Sequence, residues 1–308
     1  MRGGLERLVI DTAAVSVVIP TYGRNRVLLD TLEALLSLST PPNEIVLADQ
    51  TLRHDEEAER VLRGWHAGGQ VRWLRLPEPS IARAMNQGLL AATGPIVLFL
   101  DDDIRPDAGL VEAHAQAHGA RPGGLVAGRV LQPWHEGQAD PPDREPFRFN
   151  ALVPRAVDEF IGCNFSLPRD AALALGGFDE QFVRVAYRFE AEFAFRWLQS
   201  GRRIRYEPAA LIHHLKVPAG GTRSFGEHLT TLRPDHAVGA YYFELKTKRW
   251  RALPALLRRL ARSVATRHHL RRPWWIPVTF MAEVWGLLWA CLLVLRGPRY
   301  VGARQTRR

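Results

Sequence analysis

The chain has 308 residues, 46% of them hydrophobic and 24% charged. That balance suits a globular protein with a sizeable core and excludes wholesale disorder. The two cysteines, Cys163 and Cys291, form no CxxC pair, which excludes a disulfide scaffold and a cysteine-built zinc site and suits a reducing compartment. The net charge of +9 is unevenly spread: from Lys246 onward 15 Lys and Arg face one acid, Glu283, whereas 26 basic and 31 acidic residues precede Lys246. A mildly acidic body thus carries a basic tail. No helix-turn-helix, zinc-finger or ribonucleoprotein pattern accompanies that charge, so nucleic acid is not an expected partner. Met1 to Thr12 lacks the apolar run of a secretory signal, and the expected location is cytoplasmic.

In chain order, Val15-Ser16-Val17-Val18-Ile19, closed by Pro20, predicts a buried strand. Apolar residues at Leu28, Leu32, Leu35 and Leu36 predict a helix that ends before Pro41-Pro42. Residues 44–48 predict a second strand with Asp49 at its end, 55–64 a polar helix, and 71–76 a third strand. Ser80 is placed to cap a helix through Ala92. Residues 96–100 predict a fourth strand, which runs into Asp101-Asp102-Asp103. A Pro-, Asp- and Arg-rich stretch from Gln132 to Arg155 predicts a loop. Beyond it come a strand over 160–165, helices over 169–175 and 190–199, and a short strand over 203–206, followed by Leu211-Ile212-His213-His214. Strands alternating with helices predict an α/β fold with a parallel sheet. Ligands bind such sheets beyond the carboxyl ends of the strands, where Asp49 and the aspartate triplet fall.

Three consecutive aspartates at a buried strand end repel one another, and a bound cation relieves that cost. Mg²⁺ and Mn²⁺ take one or two carboxylates plus substrate phosphates. The alternative is a solvated acidic turn. His213 and His214 offer an imidazole to such a site, or are half-buried strand histidines. Glu190 and Glu192 open a helix; either they complement its dipole or one is a general base. Gly220-Gly221-Thr222-Arg223 either contacts phosphate or turns the chain. GxxxxGK[ST] and a GxGxxG after the first strand are both missing, which speaks against a P-loop NTPase and a dinucleotide-binding enzyme.

Taken together, these segments resemble family 2 glycosyltransferases of the GT-A fold. Val15 to Tyr22 is similar to the family's opening strand, Glu44 to Asp49 to its second, and Ala84-Met85-Asn86-Gln87-Gly88 to its ARNxG helix. Gly94 to Asp103 is similar to the strand that carries the DXD motif. Gly162-Cys163-Asn164 and Leu175 to Glu180 also match family segments, so the likeness spans Val15 to His214. It implies a Rossmann-like, mostly parallel sheet with flanking helices, plus a C-terminal helical tail. The implied organisation is an extension over 1–14, a nucleotide-sugar-binding half over 15–131, an acceptor-side half over 132–245, and a basic, membrane-proximal tail over 246–308.

The resemblance also implies roles. Pro20, Thr21 and Tyr22 would line the nucleotide pocket, with Asp49 on the base; Arg83 and Asn86 would belong to the same pocket. Asp101 would lie toward the ribose, Asp103 would ligate Mn²⁺ or Mg²⁺, and His214 or His213 would complete the metal site. Glu190 would be the catalytic base. The implied reaction is inverting, metal-dependent transfer of a hexosyl or rhamnosyl group from a nucleotide-diphosphate sugar to a glycan or lipid-linked acceptor. The chain departs from the family at three points: Phe189-Glu190 replaces Glu-Asp, Met85 replaces an Arg, and Gln50-Thr51 follows Asp49. The first departure also suits a transferase-like fold that binds sugar nucleotides or a partner without turnover.

Residues 274–295 are strongly apolar, and 22 residues make a helix of about 33 Å, just enough to span a bilayer. Glu283 near the middle would cost about 2.5–3.5 kcal/mol there. The other readings are packed core helices, or an interfacial helix with its tryptophans at headgroup level and the neighbouring arginines on anionic lipid at the inner face of the membrane.

Overall fold

The computed structural model describes residues 12–135, 147–221, 224 and 228–302. The first half alternates as the hydrophobic pattern predicts. Strands β1 (Val15–Thr21), β2 (Glu44–Asp49), β3 (Arg72–Arg75) and β4 (Ile96–Leu100) are joined by α1 (Arg26–Leu36), α2 (Glu56–Ala67) and α3 (Ile81–Ala91). Asp55 caps α2 by accepting from the Ala58 N–H at 2.8 Å. These four strands are parallel, and the register sets Thr21 opposite Asp49, so their carboxyl ends share one edge of the sheet.

Beyond β4 the sheet is mixed. Next in the chain are β5 (Ile104–Pro106), α4 (Leu110–Ala120), β6 (Leu125–Leu131), β7 (Arg155–Val157), β8 (Asn164–Pro168), α5 (Arg169–Ala174), α6 (Phe189–Gln199) and β9 (Ile204–His214). The strand order is β3-β2-β1-β4-β8-β6-β9-β5, with β7 on β9. β8 is antiparallel to both neighbours and β5 antiparallel to β9, whereas β6 and β9 are parallel, so an unbroken parallel run is confined to β1–β4. The two short segments expected at 203–206 and 211–214 are one strand. Its register against β6 jumps from Glu207 to Leu211. Pro208 lies in the skipped stretch and has no N–H to give to a ladder. The strand expected over 160–165 begins only at Asn164, and the loop expected over 132–155 gives way to β7 at its last residue.

Successive side chains of a strand point to opposite faces, and the core divides accordingly. Val18, Phe99, Phe165, Phe178, Phe193 and Trp197 build one cluster. Val17, Ile19, Leu28, Leu32, Leu98 and Leu100 build the other. Helix α3 lies close on β1 at Gly88, where a Cβ would stand 2.2 Å from Val18 Cγ1.

The boundary expected at 246 does not divide the packing. Helix α7 (Val238–Lys248) crosses it, and α8 (Leu253–Val264), α9 (Arg267–Arg271) and α10 (Trp275–Arg296) follow. Ala290 and Leu293 of α10 join the cluster that holds Phe99 and Phe193. Gly286 allows the close crossing, since a Cβ there would meet Ala237 Cβ at 2.7 Å. Glu283 is fully buried and gripped by the Arg259 fork at 3.0 and 3.1 Å. After α10 the chain returns to the domain: the Arg299 N–H donates to Asp179 and the Val301 N–H to the Gly176 carbonyl. Of the extension expected over 1–14, Met1 to Asp11 lie outside the described residues.

Candidate active site

Strand β4 is buried along its whole length and delivers Asp101, Asp102 and Asp103 beyond its carboxyl end. The three acids do different things. Asp102 accepts from Thr21 Oγ1 at 2.6 Å and lies 3.4 Å from Arg24 Nε. Asp103 sets one oxygen 3.1 Å from His214 Nε2; the other accepts from the Val217 N–H at 3.0 Å and from Arg24 at 3.3 Å. Asp101 lies 3.7 Å from His214 Nε2. β5 and β9 make this possible. Their antiparallel register sets Ile104 opposite His214, so the residue after the triplet and the imidazole arrive together.

Burial pushes the Asp101 carboxyl up to about 6, with the Asp103 charge adding to it and His214 opposing it. Burial pushes Asp102 up to about 7 against the Thr21 hydrogen bond and Arg24. Burial acts on Asp103 too, but the His214 hydrogen bond and charge, Arg24 and the Val217 N–H outweigh it and hold that carboxyl below the ordinary range.

A cavity of about 210 Å³ opens in front of these acids. Pro20, Thr21, Tyr22, Asp101, Asp103 and His214 line it. Gly220 and Gly221 line it as well, and they also turn the chain. The Gly221 N–H donates to the Tyr22 carbonyl at 2.7 Å, and a Cβ on Gly220 (φ +81°) would stand 2.6 Å from the Gly23 carbonyl. Thr222 and Arg223 lie outside the described residues.

The ligand atoms of Asp101, His214 and Cys163 all lie within 4.8 Å of one another. Burial holds the Cys163 thiol protonated, well above its usual pKa, so the donors on offer are carboxylate oxygens and an imidazole. That set fits a hard divalent cation of the Mg²⁺ or Mn²⁺ type. Among the described residues His214 Nδ1 is buried without a hydrogen-bond partner. His213 forms no part of this cluster: it falls on the opposite face of β9, so His214 is the histidine the site presents.

Glu190 sits at the start of α6, behind Gly162, where a Cβ would stand 2.8 Å from Glu190 Oε1. Burial pushes its carboxyl up to about 7, and the Asp101 charge acts in the same direction. The other acid of that turn, Glu192, is committed to Arg196 at 2.7 Å and to Lys246 at 2.7 Å. Glu190 has no ion-pair partner among the described residues. The chain reaches it through Arg184, Ala186 and Arg188, all in the left-handed region. Such non-glycine residues cost about 1–3 kcal/mol each and cluster at functional sites.

Three residues implied as nucleotide contacts do not line the cavity. Asp49 is buried, and its oxygens already accept from His54 at 2.7 Å, Trp73 Nε1 at 2.8 Å and the Thr51 N–H at 2.8 Å. Its neighbour Gln50 reaches the wall instead. Arg83 pairs with Glu78 at 2.8 Å. Asn86 clamps Phe178, donating to its carbonyl at 2.9 Å and accepting from its N–H at 2.8 Å.

The sequence pattern missed Arg24 and Lys216, which supply positive charge to the cavity wall. Arg24 is 6% exposed and donates to the carbonyls of Val217 and Ala219 as well as to the acids. Some 80 residues separate it from the triplet, and no local spacing signals the meeting.

The sequence model of glycosyl transferase family 2 matches residues 16–175. The chain belongs to that family. Its described sheet and helices are those of the GT-A glycosyltransferases. Two curated family relatives, the pre-mycofactocin glycosyltransferases of Mycobacterium tuberculosis strains CDC 1551 and H37Rv, are each 32% identical over 178 residues, 52% of this chain and 33% of theirs. The matched part is about a third of those relatives' length. GalNAc-T7, solved with UDP, GalNAc and Mn²⁺, superposes with a TM-score of 0.56 at 17% identity, over 68% of this chain and 44% of that one. A mannosyltransferase from Pyrobaculum calidifontis, solved with GDP-Man and Mn²⁺, gives 0.53 at 19%, over 94% and 89%. At these identities the two structures establish the fold.

Asn86→Ala leaves the buried N–H and carbonyl of Phe178 unpaired. It is expected to destabilise the protein by about 1–3 kcal/mol in urea, with nucleotide affinity unchanged while the protein is folded. Calorimetric titration of the folded variant checks the second half.

Proposed function

We propose that this protein transfers a sugar from a nucleotide-diphosphate sugar to an acceptor hydroxyl, with inversion at the anomeric carbon. The observation that carries the reading is the aspartate triplet at the end of the buried strand β4, met by His214 from β9, at the wall of a cavity that Pro20, Thr21 and Tyr22 also line. Pro20 to Tyr22 and Gln50 receive the nucleoside. Asp101, Asp103 and His214 would hold the divalent cation. When bound, that cation supplies Lewis-acid offset of the charge that grows on the departing diphosphate. Arg24 and Lys216 add fixed positive charge on the same side. Glu190 takes the proton from the acceptor hydroxyl as the hydroxyl attacks the anomeric carbon from the face opposite the diphosphate.

A base must be deprotonated to act, and Glu190 is raised to about 7 by burial and by Asp101. Cation binding beside Asp101 lowers that value. The rate at low substrate is therefore expected to rise with pH and to level off at or below about pH 7. Glu190→Gln is expected to lose at least about 10²-fold in turnover while binding nucleoside diphosphate as wild type does. A panel of UDP-, GDP- and dTDP-sugars, with glycan acceptors and pre-mycofactocin, checks this. Undiminished turnover by Glu190→Gln would remove the residue from that role. Donor binding without turnover across the panel would favour the non-catalytic reading.

The acceptor reading is a glycan or lipid-linked molecule met at an anionic membrane surface. Apolar side chains of α8, α9 and α10, and Trp274 just before α10, support it: Leu257, Leu270, Trp274, Trp285, Leu288 and Leu292 are all more than half exposed. Arg258, Arg262, Arg271 and Arg272 lie on the same helices or next to them and are exposed too. Such a surface suits a helix that lies in the interface. Burial of the other α10 face, with Glu283 held by Arg259, supports lying on a bilayer over crossing it. Sedimentation with vesicles is expected to carry the protein down with phosphatidylglycerol and less so with phosphatidylcholine, and Leu288→Ser/Leu292→Ser to weaken it. Equal recovery in the supernatant with both lipids would overturn the membrane reading.

A further inference from the structure

The β6–β9 pair has a second cavity at its other end. His214 lies at the carboxyl end of β9; the start of that strand, ten residues and roughly 30 Å away, borders a cavity of about 630 Å³. Its wall carries Arg121, Arg155, Arg202, Arg203 and Arg205, and one acid, Glu207. The Pro122-Gly123-Gly124 turn frames one side and Gly201, just past α6, the other.

Structural duties account for part of this cluster. Helices α4 and α6 both end here, and their free carbonyls attract cations. Arg205 donates to the Ala117 carbonyl, Arg202 donates to Ser200 Oγ at 2.7 Å and lies over Trp197, and Arg155 lies over the Phe147 ring. Arg121 and Arg203 have no such duty. Both are exposed, and among the described residues neither guanidinium has a hydrogen bond or an ion pair. Nor does any described carboxylate come within ion-pair distance of Arg202 or Arg205. Burial, and then the Arg121 charge, hold the Arg205 guanidinium below its ordinary pKa, with Glu207 opposing. Like charges gathered round one volume repel, and a multivalent anion relieves that cost. Planar guanidinium forks match phosphate oxygens in pairs.

We propose that this cavity is a second ligand site, distinct from the transfer site, and that it takes a ligand bearing two or more phosphate groups. Arg121 and Arg203 supply the free forks, while Arg202 and Arg205 set the surrounding charge. The phosphates belong either to a free polyphosphate or to a chain that spaces them along a glycerol or sugar backbone.

Calorimetric titration of the full chain in EDTA tests this, with tripolyphosphate and a short poly(glycerol phosphate) as the two probes. Arg121→Gln/Arg203→Gln removes exposed side chains and is expected to fold as wild type by circular dichroism. It should weaken whichever probe binds wild type by at least about tenfold. Arg121→Lys/Arg203→Lys keeps the charge without the fork and should recover only part of that loss, and nucleoside diphosphate binding at the transfer site, measured with Mn²⁺ in place of EDTA, should not change in either variant. Preference for one probe identifies the source of the phosphates. Wild-type affinity for both probes in the Gln variant would overturn the proposal, and so would failure of both probes to bind wild type.

Discussion

Three adjacent carboxylates at the end of a buried strand are an electrostatic problem that the rest of this fold is arranged around. The three acids border one cavity but divide their partners. Asp102 is spent on structure, on Thr21 and Arg24. Asp101 and Asp103 face His214 and the cavity. Arg24 is the internal counter-charge. By also donating to the carbonyls of Val217 and Ala219, it draws the segment after β9 over the nucleotide side of the sheet. Even so, burial leaves Asp101 near 6 and Asp102 near 7.

The same logic of buried charge ties the C-terminal helices to the catalytic core. Asp179 follows the Gly176-Gly177-Phe178 turn and is bonded by Tyr242, Lys246 and the Arg299 N–H. Glu192, on the helix that bears Glu190, shares Lys246. Asn86 clamps Phe178 from the other side. The start of α6 is thus held by α3, α7 and the last described residues together. Buried pairs of this kind are weak sources of net stability, but breaking one partner is costly. Damage far down the chain should therefore reach the Glu190 turn.

Much of this was legible in the sequence because it is local. Apolar runs marked β1, β2 and β4. Ser80 and Asp55 marked helix starts, and the Asp101–Asp103 triplet announced the site. What resisted was whatever depends on residues far apart. Nothing near Arg24 says that it will meet Asp103, and nothing near Asn86 or Asp49 says that their side chains will be consumed by Phe178 and by His54 with Trp73. Partner geometry assigned them to holding the pocket's frame rather than its wall. The antiparallel β8 was hidden for a similar reason, since strand direction is set by the path of the chain and not by side-chain alternation. The basic, apolar tail read as an appendage because its buried face, Ala282, Glu283, Gly286, Ala290 and Leu293, is mixed in with exposed apolar residues and carries little net polarity contrast.

In the proposed function Asp101, Asp103 and His214 together form a divalent-cation site that completes the nucleotide pocket. Titrating Mn²⁺ into the full chain, followed by the loss of its free-ion paramagnetic resonance signal with and without UDP, GDP and dTDP, tests it directly. One bound Mn²⁺ per chain is expected, tighter with one of the nucleotides present, lost in Asp101→Asn/Asp103→Asn and weakened in His214→Ala, with His213→Ala like wild type. Unchanged Mn²⁺ binding in the double aspartate variant, or none in wild type with any nucleotide, would contradict it.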